Sequence, residues 1–167
     1  MNLKIRQEKE MDYTISENLV EKAFKNAEYS DYKEHLLVAK LRKSDAFIPE
    51  LSRVAEINGE IVGHIMLTEL IIESDVNRHD SLALAPVSVL PEHQNKGVGS
   101  KLIRESLKVA KEMGYKSVIV LGHHEYYPRF GFKPASIWGI KAPFEVPNEA
   151  FMAVELESRA LEGIRGT

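Results

Sequence analysis

The residues Gln94-Asn95-Lys96-Gly97-Val98-Gly99 stand between an apolar run, Leu82 to Leu90, and an amphipathic helical run, Lys101 to Met113. A strand–turn–helix join of this kind can hold an anion. The first turn of a helix presents backbone N–H groups that lack intrahelical partners, at the positive end of the helix dipole. Glycines there remove the Cβ atoms that would keep a phosphate at a distance. Two nucleotide motifs fail on residue order. A P-loop needs Gly-Lys-Ser/Thr, but Lys96 precedes the glycines and Lys101 follows Ser100. The dinucleotide fingerprint needs a third glycine where this chain has Leu102. A different phosphate site and an ordinary glycine-rich helix start both remain open.

The strand leading into the turn adds a second feature. Pro86 interrupts an otherwise apolar run, and proline cannot donate to a sheet ladder. A bulge or a local parting of neighbouring strands is expected there. Parted strands expose N–H and C=O groups along which a linear, amide-bearing ligand could lie as an extra strand. A pyrophosphate site preceded by an amide-reading groove matches the layout of coenzyme A, which carries a pyrophosphate, two amides and then a thioester.

With those features in view, Val87-Ser88-Val89-Leu90-Pro91-Glu92-His93-Gln94-Asn95-Lys96-Gly97-Val98-Gly99 resembles the acetyl-CoA signature of the GNAT family of N-acetyltransferases, whose core is Gln/Arg-x-x-Gly-x-Gly/Ala after the fourth strand. Tyr126-Tyr127-Pro128-Arg129-Phe130-Gly131-Phe132 resembles a second motif of that family, an aromatic residue four positions before Gly-Phe. With Leu121-Gly122-His123-His124 ahead of it, this segment looks most like the bacterial YhbS-like subgroup. The resemblance implies acetyl-CoA as acyl donor and no metal. It implies that backbone N–H groups of Asn95, Lys96, Gly97, Val98, Gly99 and Ser100 hold the pyrophosphate. Gln94 shapes the turn or touches phosphate, and the main chain of Val87, Ser88 and Val89 pairs with the pantetheine arm. The Val89 amide also faces the thioester carbonyl as an oxyanion donor. Tyr127 stands where the family has its general acid, with Tyr126 as the neighbouring competitor. The usual asparagine-containing segment before the tyrosine is replaced here by Gly-His-His-Glu.

Attack by an amine also needs a proton acceptor. His64 and Glu69 on one strand candidate, His123 and His124 after another, and a water chain are the alternatives. His79 and Asp80 lack matching metal ligands nearby, and His35 reads as a structural partner. Lys101, Arg104, Lys108 and Lys111 form the polar side of the helix, with Lys101 or Arg104 within reach of phosphate as the sharper alternative. Trp138 fits either the core or the rim of an acceptor pocket. The chain has no cysteine, so an acyl-enzyme through a thiol, a disulfide and a thiolate metal site are all excluded. Two rivals to an acetyltransferase are a non-catalytic acyl-CoA-sensing module and a phosphate-binding structural domain.

The elements that must position these residues read as an α/β domain with a mixed sheet; the resemblance implies the acyl-CoA N-acyltransferase fold, a mixed, mostly antiparallel sheet flanked by helices. Leu3–Arg6 alternates as a strand. Ile15/Leu19 and Val20/Phe24, each pair four apart, give a helix over residues 9–25. Asp31 and Glu34 resemble a capping box for a second helix carrying Leu36, Leu37 and Leu41, which Pro49 closes off. Asn58-Gly59 predicts a hairpin between residues 53–57 and 61–72. Gly114 ends the helix after the turn. Residues 117–121 and 151–156 are further strands. A chain of 167 residues with 44% hydrophobic content suits one domain, residues 1–167. Net charge −3 gives no broad attraction to nucleic acid. The first residues carry no apolar leader and no run reaches membrane length, so a cytoplasmic protein is expected. The partner expected is a small-molecule or protein amine. A homodimer is compatible with the family.

Overall fold

The computed structural model describes residues 2–25 and 33–167. In chain order, β1 (Leu3–Gln7) is followed by α1 (Tyr13–Phe24), α2 (Glu34–Arg42), β2 (Phe47–Ile57), β3 (Glu60–Glu73) and β4 (Arg78–Val89). Then come α3 (Val98–Glu112), β5 (Ser117–Leu121), β6 (Lys133–Pro134) and β7 (Phe151–Glu155). The strands are ordered β1-β2-β3-β4-β5-β7-β6. The β2–β3 hairpin turns on Asn58 and Gly59, with φ of 52° and 85°. Both values lie in the left-handed region that a two-residue hairpin loop needs. The β4–β5 pair is parallel and meets at Ala83↔Ile119. A parallel pair cannot be joined by a tight turn, and α3 supplies the crossover. β5 and β7 run antiparallel from Ser117↔Glu155 to Leu121↔Phe151.

The chain clusters into two compact units, Met1–Thr68 with Ala85–Val109, and Glu69–Leu84 with Ala110–Thr167. In the first, Leu19, Val54 and Ile61 form one buried cluster, and Val20, Val38 and Met66 another. In the second, Ile72, Ile119, Ala135, Ile140, Ala153 and Leu161 form the core. Trp138 packs against that core from a partly buried position.

Several local expectations change. In α1 the buried stripe is Ser16, Leu19 and Val20, while Ile15 is 51% exposed. The i, i+3, i+4 stripe is kept, but its first place belongs to a serine. In α2, Val38 is the buried residue; Leu36 and Leu37 face outward. Leu41, three residues after Val38, packs on the same cluster. Lys33 occupies the N-cap, and Asp31 lies outside the described residues. Pro49 does not close off the helical region but lies within β2, in the stretch where the β2–β3 register shifts between Phe47 and Ser52. Such an irregularity tolerates a residue without an N–H. Pro86 is likewise carried inside β4, which runs through it to Val89 with a cis Ala85–Pro86 peptide.

The first unit also encloses a charged cluster. Glu8, just past β1, is fully buried and receives Arg42 from the end of α2 at 2.6 Å. The other Arg42 nitrogen meets Glu17 of α1, also at 2.6 Å. Ser52 Oγ donates to Glu8 Oε1 at 2.7 Å. His64 Nε2 lies 3.4 Å from Glu8 Oε2. Burial pushes the Glu8 carboxyl upward, but hydrogen bonds and charge from His64, together with Ser16 and Ser52, hold it well below the usual carboxylate range.

Candidate functional site

The turn between β4 and α3 is built from the conformations its residues tolerate. β4 ends at Val89, and a short 3-10 turn spans Pro91–His93. Asn95 and Gly97 then adopt φ of 62° and 84°. Asparagine is one of the few non-glycine residues that enter this region readily. Gly97 has open space around the position of a Cβ, so its glycine is required by backbone conformation rather than by crowding. The Lys101 N–H donates to Gly97 O at 3.1 Å and closes the first helical turn. The N–H groups of Val98, Gly99 and Ser100 fall in that turn, where no carbonyl precedes them in the helix. Val98 is buried, anchoring the helix start, while residues 94–97 are exposed. Lys101, Arg104, Lys108 and Lys111 all lie on the exposed side of α3.

Gln94 does more than introduce the turn. Its side-chain Nε2 donates to the Val89 carbonyl at 3.0 Å. The Leu90 N–H donates to Val62 O on β3 at 2.9 Å. Of the strand residues expected to meet a ligand, Ser88 is buried with an unpartnered Oγ, while Val87 and Val89 are half-buried.

Tyr127 opens a 3-10 turn, Tyr127–Phe130, that ends at Gly131 with φ of 98°. Its ring meets Tyr126 edge-on at 5.2 Å between centroids and Phe132 at 5.7 Å. Burial, with a smaller electrostatic contribution from Tyr126, raises the phenol pKa above its ordinary value of about 10. The hydroxyl therefore keeps its proton throughout the neutral range, as a proton donor must. Phe130 and Phe132 are buried beside it, and Tyr126, half-buried, stacks under Arg129 at 4.8 Å. A residue that the sequence did not single out makes room for the ring. A Cβ at Gly122 would strike Tyr127 Cε2 and come within 3.0 Å of Cδ2. Gly122 is fixed in turn, because its N–H donates to Ala150 O at 2.9 Å. Gly122→Ala is accordingly expected to cost about 1–3 kcal/mol of stability, as over-packing does. Denaturant unfolding measures it. Added to Tyr127→Ala, the same change should cost almost nothing, and a cost equal to that in the wild type would disprove the contact.

The candidate bases separate. His64 is fully buried, and its Nε2 is turned to Glu8 and Ser52. It is an internal partner of the charged cluster, which corrects its candidacy as a base open to an incoming amine. Glu69 is exposed and accepts from the Tyr115 hydroxyl at 2.9 Å. His123 and His124 are exposed after β5 and remain available. His35 lies 3.1 Å from Glu21, the structural role expected of it. No group of three or more metal-ligating side chains occurs among the described residues. No helix among them is long and apolar enough to cross a membrane.

Comparison with known proteins shows the family of the chain. The model of the acetyltransferase (GNAT) family matches residues 12–132. The chain is 42% identical over 118 residues to the uncharacterized N-acetyltransferase YjhQ of Escherichia coli, covering 70% of this chain and 65% of YjhQ. It thus spans just under two thirds of that relative's length. It is 28% identical to the uncharacterized N-acetyltransferase YhbS of Escherichia coli, covering 80% of this chain and 78% of YhbS. A crystal structure of a GNAT family acetyltransferase from Brucella melitensis, in complex with acetyl-CoA, superposes with a TM-score of 0.81 at 32% identity. That match covers 99% of this chain and 94% of the other. The match to the family model, the 42% identity to YjhQ and the shared fold agree: the chain belongs to the GNAT family of acetyltransferases, and YhbS is among its relatives.

Proposed function

We propose that this protein is an acetyl-CoA-dependent N-acetyltransferase that moves the acetyl group directly to an amine in a ternary complex. The observation that carries this reading is the turn at Asn95–Gly97. Two left-handed residues deliver the chain into α3 and place the exposed residues 94–97 immediately ahead of the helix start, where an anion can be met. The N–H groups of residues 95–100 are assigned to the pyrophosphate, and the main chain of Val87, Ser88 and Val89 to the pantetheine amides. Acetyl-CoA supplies an activated thioester. The Val89 N–H is assigned to the thioester oxygen, where negative charge grows as the amine nitrogen bonds to carbon. The amine must be neutral to attack and must shed a proton afterwards. His123, His124 and a water chain are the acceptors left to it. Tyr127, protonated at neutral pH, gives its proton to the departing thiolate. With no cysteine in the chain, an acyl-cysteine intermediate has no site, which favours direct transfer.

A thiol of pKa near 8.5 leaves fairly well unaided. Tyr127→Phe should therefore lower kcat about ten- to a hundredfold, at or below the low end for acid–base catalysis, and leave the KM for acetyl-CoA nearly unchanged. Steady-state rates of free-CoA release over a panel of amines measure this. The reading as a whole is tested by calorimetric titration with acetyl-CoA, CoA and ATP. Binding of acetyl-CoA and CoA well above ATP is expected; no preference between them would overturn the assignment.

A further inference from the structure

We infer that Gln94 is a positioning residue, acting on the acyl end of the site through Val89 rather than on phosphate. This rests on the acetyltransferase reading above. The peptide that joins Val89 to Leu90 is held at both ends. Its carbonyl accepts from Gln94 Nε2 at 3.0 Å, and its N–H, that of Leu90, donates to Val62 O at 2.9 Å. Val62 belongs to β3, so one tie runs to the sheet and the other to the turn. Between them the chain makes a closed loop. Leu90 leaves the strand, the 3-10 turn Pro91–His93 follows, the Gln94 N–H returns to Pro91 O at 3.3 Å, and the Gln94 side chain reaches back to Val89. The next residues, Asn95 and Gly97, carry the left-handed conformations of the turn.

Tied at both ends, that peptide plane restricts ψ of Val89 and so limits the positions open to the preceding peptide, which carries the Val89 N–H. The same side chain sets the distance between that strand end and the start of the phosphate turn. One amide group thus couples the two parts of the site that must grip the two ends of one long ligand. The chemistry demanded at position 94 is a neutral or positive donor able to reach a carbonyl. A carboxylate of the same shape cannot donate to it. Gln94 meets that demand, with one N–H of its amide committed to the Val89 carbonyl.

The test compares wild type with Gln94→Glu and Gln94→Arg. Amide hydrogen exchange is followed in the unliganded protein, and kcat and KM for acetyl-CoA are measured with one fixed amine. A surface hydrogen bond of ordinary strength sets the scale at about three- to tenfold. Gln94→Glu should speed exchange across residues 90–100 without any ligand and lower kcat about three- to tenfold, with KM raised as well. Gln94→Arg, which keeps a donor of similar reach, should recover most of the lost kcat. Gln94→Glu exchange identical to wild type, or a rise in KM with kcat untouched, would overturn the inference and return Gln94 to direct phosphate contact. Failure of the wild type to bind or turn over acetyl-CoA is a separate result. It would overturn the acetyltransferase reading, and the inference with it.

Discussion

Gly97→Val is expected to weaken binding of acetyl-CoA and of CoA about ten- to a hundredfold, with a smaller loss of kcat at saturation. At φ of 84° a β-branched residue is held far from its allowed regions. Strain of this kind costs about 1–3 kcal/mol, and about 1.4 kcal/mol corresponds to tenfold in affinity. The position is exposed, with open space where the Cβ would stand, so nothing around it locks the strained conformer in place. The turn can relax, and relaxing re-aims the N–H groups of residues 98–100 away from a common centre. The loss should therefore fall on affinity more than on the melting temperature. Gly97→Asn is the discriminating companion. Asn95 already sits at φ of 62° in this turn, so asparagine at Gly97 should bind within a few-fold of wild type. Titration calorimetry on both variants settles the matter. Equal, large losses for Asn and Val would place the cause in side-chain bulk. No loss for Val would detach the turn from the ligand altogether.

This turn was legible in the sequence because its determinants are local. Left-handed residues, a helix start and an apolar strand all lie within a short stretch of chain. The Asn58-Gly59 hairpin was legible for the same reason. The phase of α1 was not. Ser16 is fully buried, so a polar residue occupies a place in the inward stripe that periodicity would give to Ile15. His64 was ambiguous because its partners come from distant parts of the chain, Glu8 just past β1 and Ser52 in β2, and only folding brings them to it. Gly122 falls in the Gly-His-His-Glu segment that departs from the family pattern. Its physical reason, the flat edge of the Tyr127 ring, lies five residues further on, across a turn. The available signal was a glycine directly after a buried strand and shortly before a cluster of aromatic residues. Gln94 was recognised as a motif residue. Its bond to Val89 depends on how the 3-10 turn folds back, which spacing alone does not reveal.

Arg42→Met is expected to produce the largest loss of stability of any substitution considered. Arg42 is 5% exposed in its side chain and serves two carboxylates, Glu8 and Glu17, while lying 4.1 Å over the Tyr13 ring. Removing one partner of a buried ion pair leaves the other charge without compensation, at a cost of about 3–5 kcal/mol. For a chain of this size that lowers the melting temperature by about 6–20 °C. Lysine should not rescue it, since one ammonium cannot present the planar fork that reaches both acids. The sign of the pH dependence follows from Glu8. Its folded pKa lies below the unfolded value of about 4.3, so its contribution is present above that value and is lost as pH falls through the folded one. In Arg42→Met the Glu8 carboxylate keeps only His64 and Ser52 as partners and gains relief from protonation, so the gap between variant and wild type should narrow as pH drops from 7 towards 4. Adding Glu8→Gln removes the stranded charge, and the double variant should be more stable than Arg42→Met alone. Thermal unfolding of wild type, Arg42→Met, Glu8→Gln and the double variant at both pH values decides it. A gap that stays constant with pH, or a double variant that loses the sum of the two single effects, would show that Arg42 acts through packing on Tyr13 and not through the buried charge of Glu8.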